Sequence, residues 1–255
     1  MMHSNKLIFL GCGSSQGVPQ VDRLYPRGNW GNCDPLEPKN NRTRSSVYIE
    51  YQGQRLLIDS TPDLRTQYLR EHLSHIDSIL YTHAHADHIF GMAELNTLYQ
   101  TSKHKIDLCS SAEIIAKLRH HYPFYFEHNI FNVHPIMSNF MIGTAPVTAF
   151  NQIHSKGTSL GFRFGNLAYS TDFAGMVDGN ISVLENLDTW IVDCTWLTAK
   201  SSAHLNLECA LQWYERIQPK RMILTHMGNT MDYASLCQQL PENIRPAYDG
   251  MVVEF

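Results

Sequence analysis

The sequence predicts an α/β fold in which two β-sheets pack together with helices on their outer faces. Three observations predict it. Short apolar runs of strand length dominate the first part of the chain, helical stretches follow, and strands and then helices return toward the C-terminus. An ordinary doubly wound sheet is the alternative arrangement for such an order. No internal repeat or low-complexity linker interrupts it, so residues 1–255 read as one domain.

In chain order, Lys6 to Gly11, Ser46 to Tyr51 and Arg55 to Asp59 read as strands, the last two joined by a hairpin turn at Gln52-Gly53-Gln54. The polar stretch between Cys12 and Arg44, rich in Gly, Pro and Asn, is too long for a plain connector, and loops of that length are usually functional. Pro62 to Glu71 reads as a helix, with Thr61 placed to cap it and Pro62 at its first position. Asp77 to Thr82 reads as a strand, and Met92 to Ser102 and Ala112 to His120 as helices. Val147 to Phe150, Leu160 to Phe164, Leu167 to Ser170 and Thr189 to Asp193 read as strands, the last ending in an acid. Leu205 to Ile217 reads as a helix, Met222 to Thr225 as a strand, and Gly250 to Phe255 as a segment that closes a sheet.

The chain has 255 residues, of which 43% are hydrophobic and 17% charged, as expected for a soluble globular protein with a sizeable core. A net charge of −4 argues against sequence-independent nucleic-acid binding. The basic cluster Lys39, Arg42 and Arg44 reads either as a solvated loop or as a phosphate-binding edge. The apolar run Leu7 to Leu10 is too short for a signal-peptide core, and no stretch approaches the length of a membrane span. A cytoplasmic location is expected. The six cysteines are scattered without a C-x-x-C pair, which fits a reduced compartment.

The chemistry is concentrated in Tyr81-Thr82-His83-Ala84-His85-Ala86-Asp87-His88, directly after the apolar Ser78-Ile79-Leu80. Residues two apart in an extended chain project to the same side, so His83 and His85 can reach one metal, while Asp87 and His88 swing toward a second position. Imidazoles and a carboxylate without thiolate suit Zn, Mn or Fe and disfavour a purely structural zinc site. The alternative, a histidine-rich solvent loop, fits poorly with so many ligand types immediately after a buried strand. Further ligand types leave apolar runs at His154, Asp172 and His226, and each could converge on one rim. Taken alone, His154 or His226 would be an ordinary loop histidine.

The motif of His83, His85, Asp87 and His88 resembles the H-x-H-x-D-H signature of the metallo-β-lactamase superfamily, with His154, Asp172 and His226 in the order of its later ligands. The resemblance spans nearly the whole chain and implies an αββα sandwich with the metals at one edge of the β layers. Gly11-Cys12-Gly13-Ser14-Ser15-Gln16-Gly17-Val18-Pro19 narrows it to the phosphodiesterase branch, in particular the phosphoribosyl 1,2-cyclic phosphate phosphodiesterases of the carbon–phosphorus lyase pathway. By that comparison His83, His85, His154 and Asp172 hold one divalent metal, and Asp87, His88, Asp172 and His226 the other, with Asp172 bridging. His204 matches the histidine that protonates the leaving group, and Asp59 an acid that orients a metal-binding imidazole. Two features depart from that branch. Its clustered cysteines and late histidine, which bind a structural zinc, are represented here only by Cys33 and Asn229, so no structural zinc is expected in the N-terminal loop.

These readings point to a metal-dependent phosphodiesterase acting on a small cyclic phosphate or related diester, with Asp87 and His204 catalytic. An endoribonuclease like RNase Z is the first alternative, and the absence of a basic arm for RNA argues against it. A non-catalytic binding module on the same fold is the second. No G-x-S-x-G supports serine catalysis, and Gly11-Cys12-Gly13 fails the dinucleotide-binding spacing. A small-molecule partner is expected, without a membrane or nucleic acid, and assembly is left open to a homodimer.

Overall fold

The computed structural model describes residues 5–177 and 181–255. Among these, the strands form two sheets. In the first, β1 (Lys6–Gly11), β2 (Ser46–Tyr51), β3 (Gln54–Ile58), β4 (Ser78–Leu80), β5 (Ile106–Ser110) and β6 (Phe131–Pro135) lie side by side, with β15 (Val252–Glu254) antiparallel to β1 at the edge. The β2–β3 hairpin turns at Gln52 and Gly53, whose φ angles of 48° and 81° give the turn that matches strand twist. From β3 to β6 the strands run parallel. Parallel neighbours need crossovers, and helices supply them: α1 (Leu64–Arg70), then α2 (Ala86–Ile89) with α3 (Met92–Ser102), then α4 (Ala112–His121) with α5 (Pro123–Glu127).

The second sheet begins with the long hairpin of β8 (Ala145–His154) and β9 (Gly157–Phe164), flanked by β7 (Asn139–Ile142) and the short β11 (Gly175–Met176), which both pair with β8. It continues through β10 (Leu167–Ser170) into a parallel run of β12 (Thr189–Asp193), β13 (Arg221–Thr225) and β14 (Ile244–Pro246). The crossovers here are α6 (Leu207–Ile217) and α7 (Tyr233–Gln239). Trp190-Ile191-Val192 and Leu56-Leu57-Ile58 are entirely buried, as strands covered on both faces must be. No helix among the described residues is long and apolar enough to cross a membrane.

The α/β sandwich read from the sequence is the observed fold, and most strands fall where expected. Two helix starts differ. The first helical turn begins at Leu64 rather than Pro62, because the Thr61 hydroxyl accepts the Asp63 N–H and donates to Gln67 Oε1 instead of capping a helix at Pro62. Similarly, α6 begins at Leu207 because the Asn206 side chain accepts the Cys209 N–H as its cap. In the polar loop, the Arg42 guanidinium is buried 3.8 Å from Cys33 Sγ and donates to Met231 O and Asn40 Oδ1. Asn229 lies against Asn29 of the same loop. In both sheets the parallel strands end on one rim, where ligands of open α/β sheets bind.

Candidate metal centre

Each candidate residue but His204, which lies in the loop between β12 and α6, follows or ends a strand. Asp59 follows β3, His83 to His88 follow β4, His154 ends β8, Asp172 follows β10, Asp193 ends β12 and His226 follows β13. Three of them reverse the chain in the left-handed region, with φ of 61° at Asp59, 52° at Asp172 and 56° at His226. Such backbone costs about 1–3 kcal/mol per residue and persists where surrounding structure holds it. Here it turns side chains back over the rim instead of letting them continue into solvent.

The structure brings the predicted residues together in groups whose ligand atoms lie within 4.8 Å of one another. His83, His85, His154 and Asp172 make one group, and Asp87, His88 and His226 a second. Asp172 stands between them: its Oδ1 is 3.5 Å from His154 Nε2, and its Oδ2 is 3.0 Å from His88 Nε2 and 3.6 Å from His226 Nε2. Asp87 Oδ2 is 3.1 Å from His88 Nε2 and 3.6 Å from His226 Nε2. A third grouping, Asp172 with His204 and His226, overlaps these. His204 Nδ1 is already engaged with Asp193 Oδ2 at 2.8 Å, which leaves only its Nε2 free to act.

His83, His88 and His226 each bury an Nε2 that faces only the carboxylates of the cluster and makes no well-formed hydrogen bond. An orphaned buried imidazole nitrogen is costly, and three in one place need a common explanation. On the outer side of the rings the Nδ1 atoms are held: His88 by Asp59 Oδ2 at 2.7 Å, and His154 by Ala203 O at 2.9 Å. A ring whose Nδ1–H is donated outward presents the Nε2 lone pair inward. Convergent imidazole lone pairs beside two carboxylates, with no thiolate among them, fit a divalent metal such as Zn, Mn or Fe.

The electrostatics are those of a tightly coupled cluster. Burial would raise the Asp172 carboxyl, but His226, His88 and His83 pull it well below the ordinary range. Burial opposes charge on His88, yet Asp172, Asp87 and Asp59 push its imidazole well above the ordinary value. The same balance, with Asp172, Asp87 and Asp193 as the acids, pushes His226 up to about 9. His83 goes the other way, lowered by burial and by the neighbouring His88.

Sequence reasoning did not assign roles to Thr82, Asp193 and Thr195. Asp193 Oδ1 accepts the Leu205 N–H at 3.0 Å, and its Oδ2 holds His204. An acid closing the wholly apolar run Trp190-Ile191-Val192 was the signal for it. Nothing in the sequence marks Thr195, which only the fold brings beside His226.

Residues 54–227 match the family model described as Beta-lactamase superfamily domain. Over 259 aligned positions the chain is 26% identical to an octanoyltransferase of Porphyromonas gingivalis, covering 96% of this chain and 51% of that protein. It is 36% identical over 78 residues to ribonuclease Z of Clostridioides difficile, covering 30% of this chain and 26% of that protein. The chain thus spans about half the length, or less, of these curated relatives. Among solved structures, a diphosphatase from the PhnP family is similar with a TM-score of 0.89 and 30% identity, covering 100% of this chain and 98% of that one. Zinc-bound PqqB from Methylobacterium extorquens shares the fold with a TM-score of 0.77 and 20% identity, covering 98% of this chain and 100% of that one.

Proposed function

The chain belongs to the β-lactamase superfamily, a superfamily of metal-dependent hydrolases, and on that premise we propose that it is a phosphodiesterase that cleaves small phosphodiesters, cyclic phosphates among them, at a centre of two divalent metals. The observation that carries the proposal is the pair of ligand groups joined by Asp172, into which three buried imidazole Nε2 atoms point. The similarity along the whole chain to a diphosphatase supports phosphorus rather than carbon as the reacting centre.

In this reading His83, His85, His154 and Asp172 hold one metal, and Asp87, His88, Asp172 and His226 the other. When bound, the pair supplies Lewis acidity toward the phosphoryl oxygens and an activated water for in-line attack. The protein supplies the rest. Asp87, at the less buried side of the centre, accepts a hydrogen bond from the attacking water and so orients it. His204 gives a proton to the departing alkoxide from Nε2, while its Nδ1–H, donated to Asp193, keeps the ring in place. The His204 ring lies 4.8 Å from that of His226 and nearly parallel to it at 14°, beside the centre.

Protein loaded with Zn or Mn is to be assayed on a cyclic phosphate, a linear dialkyl phosphodiester and a precursor transfer RNA. Turnover on the first two supports the proposal. Cleavage of the RNA alone would favour the ribonuclease reading, to which the short match with ribonuclease Z lends weight. Loaded protein that turns over none of them would favour a binding module.

A further inference from the structure

Two aspartates behind the centre are entirely buried, and each serves two histidines. Asp59 Oδ2 accepts from His88 Nδ1 at 2.7 Å and from the Thr82 hydroxyl at 2.8 Å, and that hydroxyl lies 2.9 Å from His83 Nδ1. On the other sheet, Asp193 Oδ2 accepts from His204 Nδ1 at 2.8 Å. The Thr195 hydroxyl lies 3.4 Å from both Asp193 oxygens and 3.0 Å from His226 Nδ1. The pattern is the same twice. One histidine is held by the carboxylate directly, and the other meets the threonine hydroxyl at its shortest contact, with His226 Nδ1 itself 3.5 Å from Asp193 Oδ2.

A hydroxyl has one hydrogen to give. Asp193 is ringed by donors and takes that hydrogen, so Thr195 can meet His226 only as an acceptor. In its neutral, metal-binding form His226 then carries its hydrogen on Nδ1 and turns the Nε2 lone pair inward, toward the buried side shared with Asp87 and Asp172. The same reasoning fixes His83 through Thr82. Thr195 therefore does more than fill space. It connects the carboxylate that holds His204 to a residue of the Asp87, His88 and His226 group.

We propose that Thr195 is a positioning residue, whose hydroxyl sets the tautomer and ring plane of His226 and so determines the affinity of the second metal position, with Thr82 as its counterpart for His83. This rests on the reading of the centre as a two-metal site. Outer partners of metal-binding imidazoles typically change metal affinity by about 10–100-fold. Thr195→Val keeps the shape of the side chain and removes the hydroxyl, whereas Thr195→Ser keeps the hydroxyl and removes the methyl group.

The test is a chelator-competition titration with zinc on wild-type, Thr195→Val and Thr195→Ser proteins, together with thermal melts of the metal-free forms. We expect Thr195→Val to hold its first equivalent as the wild type does and to bind its second about 10–100-fold more weakly, with Thr195→Ser restoring wild-type behaviour. Wild-type affinity for both equivalents in Thr195→Val would overturn the proposal. So would a serine variant as impaired as the valine variant, because the methyl group and not the hydroxyl would then be responsible. A wild-type protein that takes up no second equivalent would instead overturn the two-metal reading beneath it.

Discussion

His204 Nδ1 lies 2.8 Å from Asp193 Oδ2, so one nitrogen of the imidazole is anchored to a buried carboxylate and the other, Nε2, is left to act. That geometry suits a proton donor better than a ligand. His204→Ala should keep its metal and lose about 10²–10⁴-fold in turnover of a diester with an alkoxide leaving group. With p-nitrophenolate as leaving group, which departs without a proton, the loss should be much smaller. Equal losses on the two substrates would rule out proton donation.

Asp172 should behave in the opposite way, because it touches both groups. Metal analysis of wild-type protein purified without chelator should give more than one equivalent per chain. Asp172→Ala should lower that content at both positions, whatever substrate is used. An Asp172→Ala protein with full metal content would remove it from the bridging position.

In the proposed two-metal reading, metal and proton compete for His226. In the metal-free protein its imidazole is pushed up to about 9, against an ordinary value near 6.5, by Asp172, Asp87 and Asp193 acting against burial. A group raised on folding stabilises fully below its unfolded value, and that contribution is lost as the pH climbs through the folded value. Asp172, lowered on folding, stabilises above about pH 4 and loses its contribution in acid. Thermal melts of metal-free protein should therefore fall between about pH 7 and pH 9. The metal-loaded protein, whose His226 has already given up its proton, should not show that fall. Parallel alkaline losses in both forms would contradict the assignment.

Gly91 closes the turn after α2, where its N–H donates to Ser60 O and a Cβ would meet Thr61 O at 2.2 Å. The neighbour is backbone and cannot move aside cheaply. Gly91→Ala should cost about 1–3 kcal/mol of stability, as overpacking does. It should also weaken metal binding, because Ser60 N donates in turn to His88 O. Denaturant titration and metal analysis of the same variant check both; a variant with unchanged midpoint would show that the turn yields.

Arg42 is a buried cation whose Nη2 donates to Met231 O and Asn40 Oδ1, while its Nε has no hydrogen-bond partner. Arg42→Met would leave Met231 O without this donor, whereas Asn40 Oδ1 keeps the Tyr233 N–H, and about 1–3 kcal/mol should be lost in a thermal melt. Zinc titration of the wild-type protein should level off without a further equivalent beside Cys33, which has Arg42 rather than ligands near it. Anomalous scattering from a metal at Cys33 would refute this.

The legible part of the fold was its periodicity. Runs such as Leu56-Leu57-Ile58 are buried on both faces and read as strands wherever they stand. β5 and β6 do not stand out in the sequence because their runs are mixed: Asp107, Asn132 and His134 interrupt the apolar residues, and only pairing with neighbours makes them strands. The histidine-rich motif after β4 announced itself through spacing. By contrast, the roles of Thr82, Asp193 and Thr195 depend on which strand ends share a rim. Sequence cannot show that Thr195 meets His226 across 31 positions of chain. Nor could it show that Asp59, Asp172 and His226 reverse the backbone in the left-handed region, where Asp and His are tolerated but not required.

The centre draws His83, His85, Asp87 and His88 from the first sheet and His154, Asp172 and His226 from the second. Its two halves are thus completed at different moments of synthesis. The residues of the group His83, His85, His154 and Asp172 have all been made by position 172, whereas those of the group Asp87, His88 and His226 wait for β13 and the residue after it. A chain ending between residues 172 and 226 would lack the last ligand of the second group together with β13, the strand that carries it.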